Sequence, residues 1–147
     1  MNRTWFVVAH RAGARILEHA GPGQQLTLVE DIAHEAGRKK SSEIASDSPG
    51  MSFSRVGPGR HPYATEESAH ERVAANFARE LGARLATGRT TNKFNKVVLV
   101  AEPRFLGMLR DGLDRQTAAQ VVGTVHKDLA HVPEHALAEH LGDAMEF

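Results

Sequence analysis

The 147-residue sequence contains no cysteine, which excludes disulfide bridges, a thiolate nucleophile and zinc sites built on thiolates. An excess of one charge is also lacking, because 18 Lys and Arg balance 18 Asp and Glu, so no overall field draws the chain towards nucleic acid. No apolar run approaches membrane-spanning length, and the first one is too short for a secretory signal. These absences predict a cytoplasmic protein of one domain, residues 1–147, without membrane insertion.

Two apolar runs predict the centre of a sheet. Residues 97–101 form an unbroken run and residues 5–9 a nearly unbroken one, which suits strands that are covered on both faces. Glu102 ends the run at residues 97–101, and Pro103 is a residue that the first turn of a helix tolerates. The sequence therefore predicts a central strand that leads directly into a helix. In open α/β sheets the pocket usually lies at such carboxyl ends.

The remaining elements follow in the order β-β-β, long loop, α-β-α-β-α. Alternating residues at 14–20 and 26–32 predict two more strands, so that the first quarter is an antiparallel meander. A helix is expected from Thr65 to Gly88, a short strand at 120–126 and a last helix from Pro133. The simplest solution is an α/β fold with a mixed five-stranded sheet in the order 3-2-1-4-5 and helices on both faces.

That strand order is the ribonuclease-H-like arrangement. Nucleases of this type hold magnesium with carboxylates on the central strands. In this chain the first strand ends in His10, and the apolar run at residues 97–101 has no acid before Glu102. The sequence therefore disfavours a two-metal nuclease.

Residues 33–64 lack periodicity and are rich in glycine, proline and serine. Loops of this length are usually functional or disordered. Basic side chains outnumber acidic ones here, and Arg side chains with glycine N–H groups can cradle phosphate. The loop could therefore contact phosphate or RNA, or it could be a solvated, mobile loop. The candidate binding residues are Arg38, Lys39, Lys40, Arg55, Gly57, Gly59, Arg60 and His61, with Lys127 from the region after the last strand.

Seven segments together resemble the bacterial host-attachment protein family, whose members are described as required for attachment to host cells. They are residues 9–18, 21–23, 37–38, 46–50, 57–61, 102–107 and 127–131. The family in turn resembles the middle domain of eukaryotic- and archaeal-type peptide-chain release factors, which implies the strand order given above. Two positions depart from the family pattern: His10 stands where an acid or amide is usual, and Ala130 where Thr is usual.

Release factors carry a Gly-Gly-Gln tip on the loop between the third strand and the long helix. The corresponding loop of this chain contains Gly57-Pro58-Gly59-Arg60-His61 and no Gly-Gly-Gln. Because the amide that positions the attacking water is missing, peptide release by that mechanism is not expected.

Polar residues at the carboxyl ends of the parallel strands provide a second candidate site. Arg104 could bring a guanidinium to an anion held by the first N–H groups of its helix, or it could be exposed or paired with Glu102. Asp128 could orient His131 for proton transfer, or it could cap backbone N–H groups in a turn. Arg104, Asp128 and His131 are thus the candidate catalytic residues of a hydrolase.

Cofactor motifs are missing. His131, His135 and His140 invite a zinc interpretation, but Pro133 separates the first two and no HExxH pattern occurs. Walker A and G-x-S-x-G patterns are also missing. We therefore predict neither a metal nor a cofactor.

Three functions remain open. The first is a non-enzymatic binding module for a ribosomal or other RNA-containing partner, with the 33–64 loop as its contact. The alternative is a small hydrolase acting on a phosphate- or ester-bearing substrate. The third is a protein-interaction factor in surface attachment.

Overall fold

The computed structural model describes residues 2–38 and 62–146, and side chains within residues 2–37 and 68–146. Its centre is a five-stranded sheet in the order β3-β2-β1-β4-β5, which confirms the predicted α/β fold class and strand order. The strands are β1 (Thr4–His10), β2 (Gly13–His19), β3 (Thr27–Ala33), β4 (Lys96–Val100) and β5 (Val121–Val125).

The two apolar runs are neighbours in the middle of the sheet. β1 lies parallel to β4, with Thr4 opposite Lys96 and Val8 opposite Val100, and antiparallel to β2. Residues 4–9 and 97–101 are all buried, as strands covered on both faces should be. The alternating strand β3 lies at an edge, where Ile32 is its only buried residue.

Two longer helices cover the first face of the sheet. They are α1 (Pro62–Thr90) and α2 (Pro103–Asp111), and α1 places Phe77, Leu81 and Leu85 against β1 and β4. Pro103 occupies the first turn of α2, where its missing N–H costs nothing. The short helix α3 (Arg115–Ala118) then leads into β5.

The second face is covered by the C-terminal part of the chain. Its short elements are a 3-10 turn (Glu134–Ala136), α4 (Leu137–Leu141) and a second 3-10 turn (Gly142–Glu146). Leu129, Leu137 and Leu141 pack there on Phe6 and other β1, β2 and β4 side chains. Helical structure therefore covers both faces, but the expected last helix is divided into short pieces. Gly142, at a φ of 54°, ends α4.

The bounds of α1 differ from those predicted. The helix begins at Pro62, so Thr65 is an internal residue rather than its cap. It also continues past Gly88 to Thr90, because Gly88 packs in the core: a Cβ there would lie 2.9 Å from both the Trp5 and Phe94 rings. None of the helices in the described ranges is long and apolar enough to cross a membrane.

The segment predicted as a long loop is partly helical at its ends. A 3-10 turn (Glu35–Arg38) follows β3, and α1 already begins at Pro62. Residues 39–61 lie outside the described residues.

Candidate functional site

The carboxyl ends of four strands lie at one edge of the sheet, because β1, β4 and β5 are parallel and β3 runs in the same direction. We call this the carboxyl edge. The turn at Arg11 and Ala12 lies here, and the Ala12 carbonyl accepts a hydrogen bond from the His34 N–H at 2.9 Å. Glu102 and His126 follow β4 and β5 at the same edge.

A cleft of about 640 Å³ opens at the carboxyl edge, on the second face of the sheet. The chemistry-bearing side chains along it are His10, Arg15, Asp31 and His131. The His10 and His131 rings lie 5.7 Å apart between centroids, at an interplanar angle of 56°. The cleft therefore brings two imidazoles from opposite ends of the chain together.

Arg15 explains how His131 reaches this position. Its guanidinium donates to the Leu129 carbonyl at 2.9 Å and to the Ala130 carbonyl at 3.3 Å. These bonds join β2 to the segment just before His131. Because Leu129 is also buried in the core, the segment is attached by both packing and hydrogen bonds.

The turn after β1 orients the other imidazole. The Ala12 N–H donates to His10 Nδ1 at 3.4 Å, so in the neutral ring Nε2 carries the proton. His10 is half-buried, whereas His131 is exposed. Asp31 lies opposite Arg15 in the register of β2 and β3, which adds an exposed carboxylate to the cleft. The cleft thus offers donors and acceptors to a polar ligand.

Arg104 does not form the predicted anion site. The Glu102 carboxylate accepts hydrogen bonds from the N–H groups of Arg104 at 3.1 Å and Phe105 at 2.6 Å. The first N–H groups of α2 are therefore occupied by the chain's own carboxylate, as in other acidic N-caps. The Arg104 guanidinium pairs with Glu71 on α1, and not with Glu102.

Asp128 and Lys127 also make structural contacts. The Asp128 carboxylate accepts the Ala130 N–H at 3.2 Å, which is the turn interpretation, and it does not orient His131. Lys127 Nζ donates to the His140 carbonyl at 3.3 Å. The structure therefore does not bring the three candidate catalytic residues together, and His131 faces His10 instead.

The partners of His131 could not be predicted from the sequence. His10, Arg15 and Asp31 lie on three different strands, and only their register places them along one cleft. The alternation of β2 indicated which face Arg15 shares with Leu17, but no local pattern indicated that this face meets residues 129–131.

The predicted binding residues of the loop lie largely outside the described residues. This holds for the side chain of Arg38 and for Lys39, Lys40, Arg55, Gly57, Gly59, Arg60 and His61. The described residues on either side of this segment are attached to the carboxyl edge, and their contacts can be stated.

Before the segment, the His34 ring stacks on Phe77 with centroids 4.3 Å apart, and its Nδ1 lies 3.1 Å from the Arg11 carbonyl oxygen. Gly37 touches the same turn so closely that a Cβ would lie 1.9 Å from that oxygen. After the segment, Glu71 of α1 pairs with Arg104. Both flanks therefore lie at the carboxyl edge.

No group of three His, Asp or Glu side chains in the described ranges is arranged to hold a metal ion. The nearest approach to such a group in the cleft is the pair formed by His10 and His131. A pair of imidazoles lacks the third protein ligand that zinc sites normally have.

Comparison with known proteins gives one family. The model of a family described as "Protein required for attachment to host cells" matches residues 5–141. No curated protein matches the chain. A solved structure titled "Archaeal protein" is similar over 99% of this chain, at a TM-score of 0.49 and 11% identity. The chain spans 36% of that protein's length.

Proposed function

The chain belongs to the family of proteins required for attachment to host cells, and we propose that it acts as a non-enzymatic binding module for a ribosomal or other RNA-containing partner. The contact would be made by the loop of residues 33–64, whose described ends lie at the carboxyl edge. Its cytoplasmic location stays a prediction.

The observation that carries this proposal is the attachment of both flanks of the segment to the carboxyl edge. His34 and Gly37 hold the first flank against the Arg11 turn, and the Glu71–Arg104 pair holds the second. The described contacts on both sides of the segment therefore lie at the carboxyl edge, which supports a contact made there.

The basic residues of the segment support contact with the phosphates of RNA. Residues 33–64 contain five Arg and Lys residues and three acidic residues, Glu35, Glu43 and Asp47. The whole chain is neutral, so this basic excess is local to the segment. Arg and Lys side chains supply most of the affinity of proteins for phosphate backbones. The neutral overall charge counts against general electrostatic binding of nucleic acid, but not against contact through a local basic patch.

The resemblance to the release-factor middle domain supports the same kind of partner, because that domain acts at the ribosome through the loop in this position. Gly-Gly-Gln is missing here, so the proposal is binding and not peptide release. The hydrolase alternative lacks comparable support, since Arg104 and Asp128 are engaged in an ion pair and a turn.

The test compares two variants that each lose two positive charges. Arg55→Ala with Arg60→Ala changes the segment, while Arg110→Ala with Arg115→Ala changes exposed residues of α2 and α3, outside the segment. RNA and ribosome affinity is measured over a range of salt concentrations. Each phosphate contact contributes a slope of about −0.7 to −0.9 to log K against log salt. The segment variant should flatten the slope by about two and the control should not.

Capture from a cell lysate, with and without nuclease treatment, identifies the partner class. An RNA-containing partner should be lost after nuclease treatment, whereas a protein partner should remain. If the segment variant binds RNA and ribosomes as tightly as the parent protein at every salt concentration, the proposed function is wrong.

A further inference from the structure

Three polar residues form a row across the sheet at the edge opposite the proposed RNA contact. Thr4 at the start of β1 is opposite His19 of β2 on one side and Lys96 of β4 on the other. Directly opposite residues on paired strands share a face of the sheet. We call His19, Thr4 and Lys96 the polar row.

The polar row adjoins the core of the second face. In the next row with the same orientation, Phe6 is opposite Leu17 and Val98, and all three are fully buried. The His19 ring packs against the Phe6 ring edge to face, with centroids 6.4 Å apart. The row therefore lies where the apolar core gives way to a polar edge.

Two members of the row are buried without a hydrogen-bond partner. Thr4 is 2% exposed and His19 is 8% exposed. Neither the Thr4 hydroxyl nor a His19 ring nitrogen makes a hydrogen bond with any described residue, and the Lys96 ammonium is likewise unpaired within residues 2–38 and 62–146. Buried polar side chains nearly always have a partner, so the Thr4 hydroxyl and the His19 ring need one.

A cleft of about 610 Å³ beside the polar row has room for such a partner. The polar row lines it together with the turn Gly21-Pro22-Gly23, and Asn2, Gln24, Met145 and Glu146 complete its described lining. Within the described ranges, Gln120 Oε1 is the only completely enclosed side-chain nitrogen or oxygen without a hydrogen-bond partner. The unpartnered polar atoms of the row are therefore not completely enclosed, and they are open to the cleft that the row lines.

The glycine turn shapes one wall of the cleft. Gly21 has a φ of 129°, and a Cβ there would lie 3.0 Å from the Asn2 side-chain nitrogen. The backbone conformation favours glycine at this position, whereas the exposed Asn2 side chain could move. The turn therefore sets the path of the backbone along this wall.

We propose that this cleft binds a small oxyanion group, a phosphate or a carboxylate, through Lys96, His19 and Thr4. An ammonium, an imidazole N–H and a hydroxyl are all donors, and donors that converge on one face of a sheet suit an anion. The exposed Glu146 carboxylate on the rim is screened by solvent, whereas the donors lie deeper. This site lies at the other edge of the sheet and does not depend on the proposed function.

The test is a titration of the untagged full chain with inorganic phosphate and, separately, with acetate, followed by the backbone amide resonances of β1, β2 and β4. Saturable shifts at the polar row are expected. Saturation with phosphate alone assigns the site to phosphate groups, and saturation with both anions assigns it to carboxylates as well. If neither anion gives saturable shifts there, the proposal is overturned.

Matched lysine variants separate the site from general charge. Lys96→Gln should weaken binding by about tenfold or more, because a charge-assisted hydrogen bond is lost. Lys93→Gln removes the same charge from an exposed turn outside the cleft and should bind like the parent. Equal affinities for the two variants would overturn the proposal.

Thr4→Val gives a second, independent readout. Valine keeps the shape of threonine and removes only the hydroxyl, so binding should weaken while the melting temperature without anion stays the same or rises. A marked fall in the melting temperature without anion would mean that the hydroxyl already has a partner inside the protein, which contradicts the proposal.

Discussion

Replacing Gly82 by Ala tests how α1 packs against the end of α2. Gly82 is buried within α1, and a Cβ at this position would lie 2.2 Å from the Gly112 carbonyl oxygen and 2.9 Å from its carbon. These are backbone atoms, which cannot rotate away as a side chain would. The two helices must move apart before the contact reaches the ordinary distance of 3.4 Å or more.

The magnitude follows from two opposing effects. Alanine is more favourable than glycine in a helix interior by about 1 kcal/mol. Overpacking a well-packed site costs typically about 1–3 kcal/mol, and more when backbone must move. Since the contact at Gly82 is far shorter than van der Waals distance, we expect a net loss of about 2 kcal/mol in the free energy of unfolding.

Gly107→Ala is the matched control. Gly107 also lies inside a helix, α2, but it is exposed, and a Cβ there would meet nothing within 4 Å. Only the helix-propensity gain remains, so this variant should be more stable than the parent by about 1 kcal/mol. Urea unfolding of the three proteins gives the comparison. If Gly82→Ala is stabilised as much as Gly107→Ala, the close contact between α1 and Gly112 is refuted.

Three further predictions concern the core, the ends of helices and metal dependence. Leu99→Ala should lower the free energy of unfolding by about 2–5 kcal/mol, since Leu99 is fully buried; a loss below about 0.5 kcal/mol on denaturant unfolding would contradict its place in the core. The Thr117 N–H, then the Thr117 hydroxyl and the Arg89 charge, hold the pKa of Asp114 below its ordinary value of 3.8. The Asp114 carboxylate should therefore stabilise the fold above pH 3.8, and this contribution should be lost as the pH falls through the lower folded-state pKa. The difference in free energy of unfolding between the parent and Asp114→Ala should then become smaller in acid. A difference that does not change with pH would refute this. Any activity of the purified protein should persist in a chelator, and loss of activity that magnesium or zinc restores would contradict the prediction of no metal.

The central part of the fold was predictable because its signal is local. An unbroken apolar run requires burial on both faces, and two such runs can satisfy this only in the middle of the sheet. The bounds of α1 were not predictable in the same way. Gly88 is a reasonable stop signal by itself, but it is retained inside the helix for the space that Trp5 and Phe94 need. That requirement comes from tertiary packing.

In the candidate sites, too, contacts within a short stretch of sequence could be predicted, whereas contacts between distant segments could not. Asp128 in a turn was one of the two alternatives that the sequence left open, and the structure confirms it. A local signal also indicates what occupies the first N–H groups of the helix at Arg104, since Glu102 precedes Pro103 at the position of an acidic N-cap. The grouping of His10 with His131 depends instead on Arg15, which joins β2 to a segment more than a hundred residues later in the chain.

The position of both clefts follows from the unequal cover on the two faces of the sheet. The first face is covered by α1, which has 29 residues, whereas the cover of the second face has helical pieces of at most five residues. This short layer buries the middle rows around Phe6 and Val8. Polar side chains border these rows on this face: Arg15 opposite Val8 and His10 beyond it near the carboxyl edge, and the polar row at the other edge. Because a shift of one residue in register would turn these side chains to the opposite face, the register itself is what gives this chain its two candidate sites.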